Sequence, residues 1–247
     1  MKRSAAIFLA VLCFLAPVTG FTGPPFRTDD PEPVEYRHGE VYFFFTGTKD
    51  SGGISGVGPA IEFNYGIFPD TQFHIITPVA FNSPRESASH FGYGDTEIGV
   101  KYRFINQTSV IPDVGIFPLI EIPSGDSHEG LGNGKAQYFL PLWLQKDFGK
   151  WTTYGGGGYW INHGAGNKNW WFSGILLQYS FAEDFYLGGE VFHRTIDTVG
   201  GKESTSFNLG GSLPLTKKFQ LLFTAGSGLQ HTSRNRYSYY LAIYYTF

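Results

Sequence analysis

Residues 94–104 read GDTEIGVKYRF, and they alternate without a slip. Thr96, Ile98, Val100, Tyr102 and Phe104 share one face; Asp95, Glu97, Gly99, Lys101 and Arg103 share the other. A period of two is a β-strand, because successive side chains of a strand point to opposite faces. A helix would scatter these residues around its circumference. All the charge lies on one face and nearly all the apolar bulk on the other, so this segment is predicted to separate two environments.

The pattern recurs along the chain. Ile61, Phe63, Tyr65 and Ile67 oppose Glu62 and Asn64; Tyr138, Leu140, Leu142 and Leu144 oppose Gln137 and Gln145; Ile175, Leu177 and Tyr179 oppose Gln178. The last segment sets Tyr237, Tyr239, Leu241, Ile243, Tyr245 and Phe247 against Ser238 and Thr246. Twelve strands are predicted, near 39–48, 57–67, 71–81, 94–104, 112–122, 135–146, 151–161, 169–180, 185–194, 205–213, 218–229 and 237–247. Most are about ten residues long, the length a tilted strand needs to cross a bilayer. Connections near 68–70, 147–150, 182–184 and 214–217 are short; those near 49–56, 82–93, 123–134, 162–168, 195–204 and 230–236 are longer and polar, with 105–111 as an exception. Short turns on one side and long loops on the other are expected of an outer-membrane barrel.

Composition narrows the classes. Only 16% of the 247 residues are charged while 18% are aromatic, which excludes a disordered chain. The single Cys excludes a disulfide scaffold and a cysteine-ligated metal site. A net charge of −3 without a Lys/Arg cluster argues against nucleic acid as a partner.

The first twenty residues read as an export signal. Lys2 and Arg3 precede an apolar run over residues 5–16, Pro17 breaks it, and Val18-Thr19-Gly20 supplies small or permissive residues for cleavage near Gly20. The run is too short for a membrane anchor. Cys13 lies within it and lacks the small residues a lipoprotein site requires before it. Removal takes away two positive charges, and the net charge goes from −3 to −5. Residues 21–38, FTGPPFRTDDPEPVEYRH, follow as an arm whose prolines exclude a regular strand or helix. The barrel is predicted over 39–247.

Alternation alone does not separate a membrane barrel from a soluble one. Three features favour the membrane: the export signal; aromatics near predicted strand ends (Phe43, Phe45, Phe63, Tyr65, Tyr102, Phe104, Trp151, Tyr154, Trp160, Trp170, Trp171, Tyr237, Tyr239, Tyr245), as in an interfacial girdle; and a last strand ending in Phe247, which resembles the signal read by barrel-assembly machinery in Gram-negative outer membranes. In hydrocarbon an unpaired sheet edge is too costly to persist, so the first and last strands are predicted to pair.

Four segments together carry a resemblance: GPPFRTDDPEPVE (residues 23–35), GDTEIGVKYRF, EIPSGDSHEGLGNG (121–134) and YGGGGYW (154–160). In this order and spacing they are similar to the outer-membrane transporter-like family named for the meta-cleavage pathway of phenol degradation. The resemblance implies an all-β, transmembrane, antiparallel up-and-down barrel and a route for small hydrophobic or aromatic solutes. It brings no functional residues with it.

By parity, the face turned to the lumen carries Glu62, His74, Glu97, Lys101, Arg103, Glu121, Gln137, Gln145, Gln178, Glu190 and Arg194. On lipid these would be costly. They either line a permeation path or form a polar network that fills a closed lumen. Tyr42, Phe44, Phe117, Leu119, Phe139, Trp143, Leu176 and Leu222 share that face, as a path for apolar molecules would require. Asp29, Asp30, Glu32 and Glu35 of the arm are candidates to plug the barrel by meeting Lys101 and Arg103. Among other chemistries, His90, His128, His163 and His231 with Asp126 and Glu129 lack metal-ligand spacing, and no metal or cofactor is expected. GLGNG and GGGG are not followed by a helix, so a phosphate loop is not expected. Asn162, His163 and Ser173 are the nearest candidates for an outer-membrane lipid hydrolase, without its local motif. The reading is a passive outer-membrane channel, not an enzyme; the alternatives are that hydrolase and a sealed structural or surface-interaction barrel.

Overall fold

The computed structural model describes residues 24–247; the expected signal segment, residues 1–20, and the start of the arm lie outside the described residues. Twelve strands form the wall. They are β1 (Gly39–Lys49), β2 (Gly53–Phe68), β3 (Thr71–Pro84), β4 (His90–Tyr93 and Thr96–Ile105), β5 (Asp113–Ile116 and Leu119–Ile122), β6 (Gln137–Phe148), β7 (Trp151–Asn162), β8 (Trp170–Ala182), β9 (Phe185–Arg194), β10 (Ser204–Pro214), β11 (Phe219–Gln230) and β12 (Tyr237–Thr246).

Each strand pairs antiparallel with its sequence neighbours, and β1 pairs with β12 in the register Val41 to Tyr245 and Phe43 to Ile243. The seam is completed by reciprocal backbone bonds between Gly39 and Phe247 (2.8 and 3.0 Å). Closure joins the first strand to the last, as a sheet in hydrocarbon requires; among the described residues the short His90–Tyr93 segment pairs with β3 alone.

Two strands are interrupted. β4 breaks at Gly94-Asp95, where Asp95 turns its carboxylate to the backbone N–H groups of Gly125 (2.9 Å) and Asn133 (2.6 Å) and so fastens the longest loop. β5 breaks at Phe117-Pro118, where proline has no N–H for the ladder. Two-residue turns at 69–70, 149–150 and 183–184 each use a left-handed residue: Asp70 (φ 55°), Gly149 (φ 64°) and Asp184 (φ 59°). The loop expected over 49–56 shrinks to residues 50–52. Residues 53–56 are rich in Gly and Ser and carry no apolar alternation, but they pair with β1 and β3 on both sides.

Burial is inverted relative to a soluble barrel. Ile175, Leu209 and Leu140 are 63%, 60% and 56% exposed on the outer face, while Gln178, Glu190 and Lys101 are buried within. Phe43, Phe45, Tyr102, Phe104, Trp151, Trp171 and Tyr237 lie outside, as a girdle requires. Tyr154, Trp160 and Trp170 do not. Tyr154 is buried among Phe26, Leu176 and Tyr186, and the two tryptophans pack on the interior cluster of Phe139, Trp143, Phe172 and Phe192. Trp170 and Trp171 are adjacent on one strand, so only one of them can face outward.

Candidate functional site

The centre of the barrel is occupied by residues 24–34 of the chain itself. The arm enters at the short-turn rim, where Tyr36 forms a parallel bridge with Gly66, Arg37 N–H donates to the Gly66 carbonyl (2.8 Å) and Gly66 N–H to the His38 carbonyl (3.1 Å). Four prolines (24, 25, 31 and 33) leave it few N–H groups to satisfy in a buried position. Wall side chains and the arm's own carboxylates take several of the others. Glu190 accepts Arg27 N–H (2.9 Å) and Thr28 N–H (2.7 Å), Gln72 accepts Val34 N–H (2.8 Å), and Asp30 accepts Glu32 N–H (2.6 Å). Three wall glycines stand where the arm comes closest: a Cβ on Gly174 would strike Thr28, one on Gly115 would meet Pro31, and one on Gly66 the Glu35 carbonyl.

Charge completes the seat. Lys101 Nζ on β4 reaches Asp29 (3.0 Å) and Asp30 (3.5 Å), with the Lys101 ammonium and Asp30 both buried. Gln145 donates to Glu32 (3.2 Å). Burial pushes the Glu32 carboxyl up to about 7, against the pull of Arg103 and the Gln145 hydrogen bond. Glu35 does not enter: it is exposed at the rim, 3.8 Å from His38. Arg103 is held instead by Asp70 (2.8 Å) and Asp113 (3.5 Å), both on the wall or its turn, which leaves Lys101 as the cation that grips the arm's aspartates.

The remaining lumen-side residues form polar ladders across the strands. His74 spans Asn64 (2.7 Å) and Glu97 (2.9 Å), and Asn64 donates to Glu62 (2.9 Å). Gln137 donates to Glu121 (2.6 Å) and accepts from Asn162 (2.6 Å). Arg194 donates to Ser204 (3.0 Å) and lies 3.3 Å from Asp197. Gln178 is buried with neither end of its amide hydrogen-bonded among the described residues. Gln72 and Asn208, a further donor to Glu190 (2.6 Å), were readable by the same parity; Arg27 and Thr28 carried no signal in the sequence.

The arm divides the interior. A cavity of about 520 Å³ opens toward the short-turn rim between Pro24, Pro33, Glu40, Lys218 and Phe247. Two more, of about 440 and 410 Å³, lie beyond it and share Arg27 as a lining residue. Aromatic rings continue along the inner wall: Phe139 stacks on Trp160 (4.8 Å), Trp160 on Trp170 (5.6 Å) and Phe172 on Phe192 (6.0 Å).

The residues weighed for lipid hydrolysis are not gathered. Ser173 faces outward, whereas Asn162 points inward and is bonded to Gln137 and Asn133. Among the described residues no three His, Cys, Asp or Glu side chains are placed to hold a metal ion, and His90 lies 3.4 Å from Glu129.

Comparison with known proteins follows the same lines. The family described as "Putative MetA-pathway of phenol degradation" matches residues 41–247. The chain belongs to this family. No curated protein sequence matches it. This member of the phenol-degradation family is similar in fold to the crystal structure of an outer membrane channel from Pseudomonas putida F1, with 15% identity, a TM-score of 0.71, and coverage of 88% of this chain and 98% of that one. The KdgM porin is similar at 12% identity and a TM-score of 0.56, over 83% of this chain and 99% of that one. A second structure of that porin, in complex with disordered oligogalacturonate, matches to the same extent.

Proposed function

We propose that this family member is an outer-membrane channel for passive passage of small solutes, hydrophobic or aromatic ones above all, and that its N-terminal arm is the plug. The observation that carries the reading is the inverted barrel whose interior cavities lie on either side of a segment seated by wall side chains inside and by a backbone bridge at the rim. Polar wall residues with intervening stacked rings suit molecules that are apolar but carry one or two polar groups. In this reading the short-turn rim is periplasmic, the exposed apolar band meets outer-membrane lipid, and barrel-assembly machinery of a Gram-negative cell takes up the last strand through Phe247 after the signal is cleaved. The fold shared with an outer membrane channel supports it.

The test is single-channel conductance in planar bilayers, with the mature chain compared to one lacking residues 21–36. The mature chain is expected to conduct weakly and the shortened one several-fold more. Equal conductance would overturn the plug, and silence of both would favour a sealed barrel. Liposome flux of phenol against glycerol then tests the preference for aromatic solutes.

A further inference from the structure

We propose that the vestibule above the arm, on the long-loop side, is a binding site for a planar aromatic carboxylate. This deepens the channel reading by naming a solute class. The cavity of about 410 Å³ is bounded by Arg27 from the arm, Phe172 on β8, Phe192 and Arg194 on β9, and Arg234 from the loop before β12. Phe172 and Arg194 are direct partners across the β8–β9 pair, and Phe192 lies two residues before Arg194 on the same face. Rings and guanidinium groups therefore alternate on one patch.

The cations there are not matched one to one with carboxylates in contact. Arg234 holds Asp197 with two bonds of 2.7 Å, and Arg194 shares the same carboxylate at 3.3 Å. One acid thus serves two cations. Arg27 donates to Thr48 (3.0 Å), and its guanidinium lies 5.6 Å over the Phe192 ring; among the described residues no carboxylate makes a contact ion pair with it, Glu190 acting on it at longer range. It is exposed to the vestibule although it sits deep in the barrel. Asp50, the acid of the lining, is turned to the N–H groups of Gly52 (2.7 Å) and Gly53 (2.8 Å). Glu190, beneath, is capped by two arm amides and Asn208.

A guanidinium with free donors recognises a carboxylate by charge-assisted, bidentate bonds. A ring attached to that carboxylate falls on Phe172 and Phe192, whose planes differ by 26° at 6.0 Å and offer a flat wall. The neighbouring cavity, by contrast, is lined by Asp95, Glu97 and Glu121, so an anion entering the barrel mouth is directed to the arginine side.

The test is calorimetric titration of the full mature protein in detergent with benzoate, benzyl alcohol, acetate and glucuronate. Benzoate is expected to bind at least about tenfold more tightly than each of the other three, the loss expected when one charged hydrogen-bonding partner or the stacking ring is missing. Arg27→Gln keeps the backbone bonds to Glu190 and is expected to weaken benzoate at least tenfold. Arg194→Gln, on the wall, is expected to weaken benzoate similarly, and Lys218→Gln in the opposite cavity to leave it unchanged. Equal binding of benzoate and benzyl alcohol, or parental benzoate affinity in both arginine variants, would overturn the site. Glucuronate binding as tightly as benzoate would overturn the aromatic class. Failure here with conductance intact would leave the channel reading standing; loss of conductance with benzoate binding intact would do the reverse.

Discussion

The carboxylate of Glu190, on β9, accepts the backbone N–H of Thr28, in the arm, at 2.7 Å. Its other oxygen takes Arg27 N–H at 2.9 Å. One buried side chain thus serves two consecutive arm amides. Glu190→Ala leaves both donors unsatisfied, at a cost of about 1–3 kcal/mol each, and is expected to undock the arm. Single-channel conductance should rise toward that of the arm-deleted protein, and the arm should become cleavable by added protease. Glu190→Gln retains one acceptor and should fall between. Parental conductance in the alanine variant would show that Glu190 does not hold the arm.

Gly174 provides a steric counterpart on β8. The nearest atoms to a Cβ built there are all from Thr28. Gly174→Val should leave the barrel folded, as judged by heat-modifiable electrophoretic migration, while displacing the arm and raising conductance. Thr28→Gly in the same chain empties the contested space and keeps the amide that Glu190 binds. The double variant is expected to recover the low conductance of the parent. If it does not, Gly174 acts on the barrel and not through Thr28.

Most of the wall was legible because it follows from one rule. Alternation located twelve strands and put Glu62, Lys101, Gln178 and Glu190 on the inner face, since a single parity fixes every side chain of a strand. The rule fails where its premise does. Residues 53–56 have too little apolar content to show a period, so alternation does not reveal the beginning of β2. Tyr154, Trp160 and Trp170 looked like girdle residues by type and strand-end position, but their parity turns them inward. The arm has no period at all: its prolines exclude regular structure without saying where the segment goes. Its aspartates pointed to a cation, and Lys101 is that cation, but which of Lys101 and Arg103 was free depended on Asp70 and Asp113, which only folding brings beside Arg103.

Glu32 makes docking of the arm sensitive to pH. In the docked arm burial raises its carboxyl to about 7, from an ordinary value of 4.5 that a solvated arm would regain. Arg103 and Gln145 favour the charged form, Asp113 and Asp147 oppose it, and desolvation outweighs them. Between these two values the docked state binds a proton that the undocked state does not, so docking strengthens as pH falls through 7 and is weakest above it. Conductance is expected to be higher at pH 8 than at pH 5.5. Glu32→Gln should flatten that dependence and hold conductance near its low-pH level. A pH profile unchanged by the substitution would assign the effect to another group.

The orientation of the wall in lipid is tested by a pair of neighbours on β8. Ile175 is 63% exposed near the middle of the strand, and Gln178 is buried on the opposite face with an amide that makes no hydrogen bond among the described residues. If the outer face meets hydrocarbon, Ile175→Arg should cost about 2–4 kcal/mol in urea unfolding from lipid vesicles. Gln178→Leu removes an unsatisfied buried amide at nearly constant volume and should be neutral or stabilising. A barrel in water would give the opposite order, because an arginine on its exterior is solvated and costs little. A neutral Ile175→Arg would therefore remove the membrane reading while leaving the twelve-stranded closure intact, since closure rests on the β1–β12 ladder and not on what surrounds it.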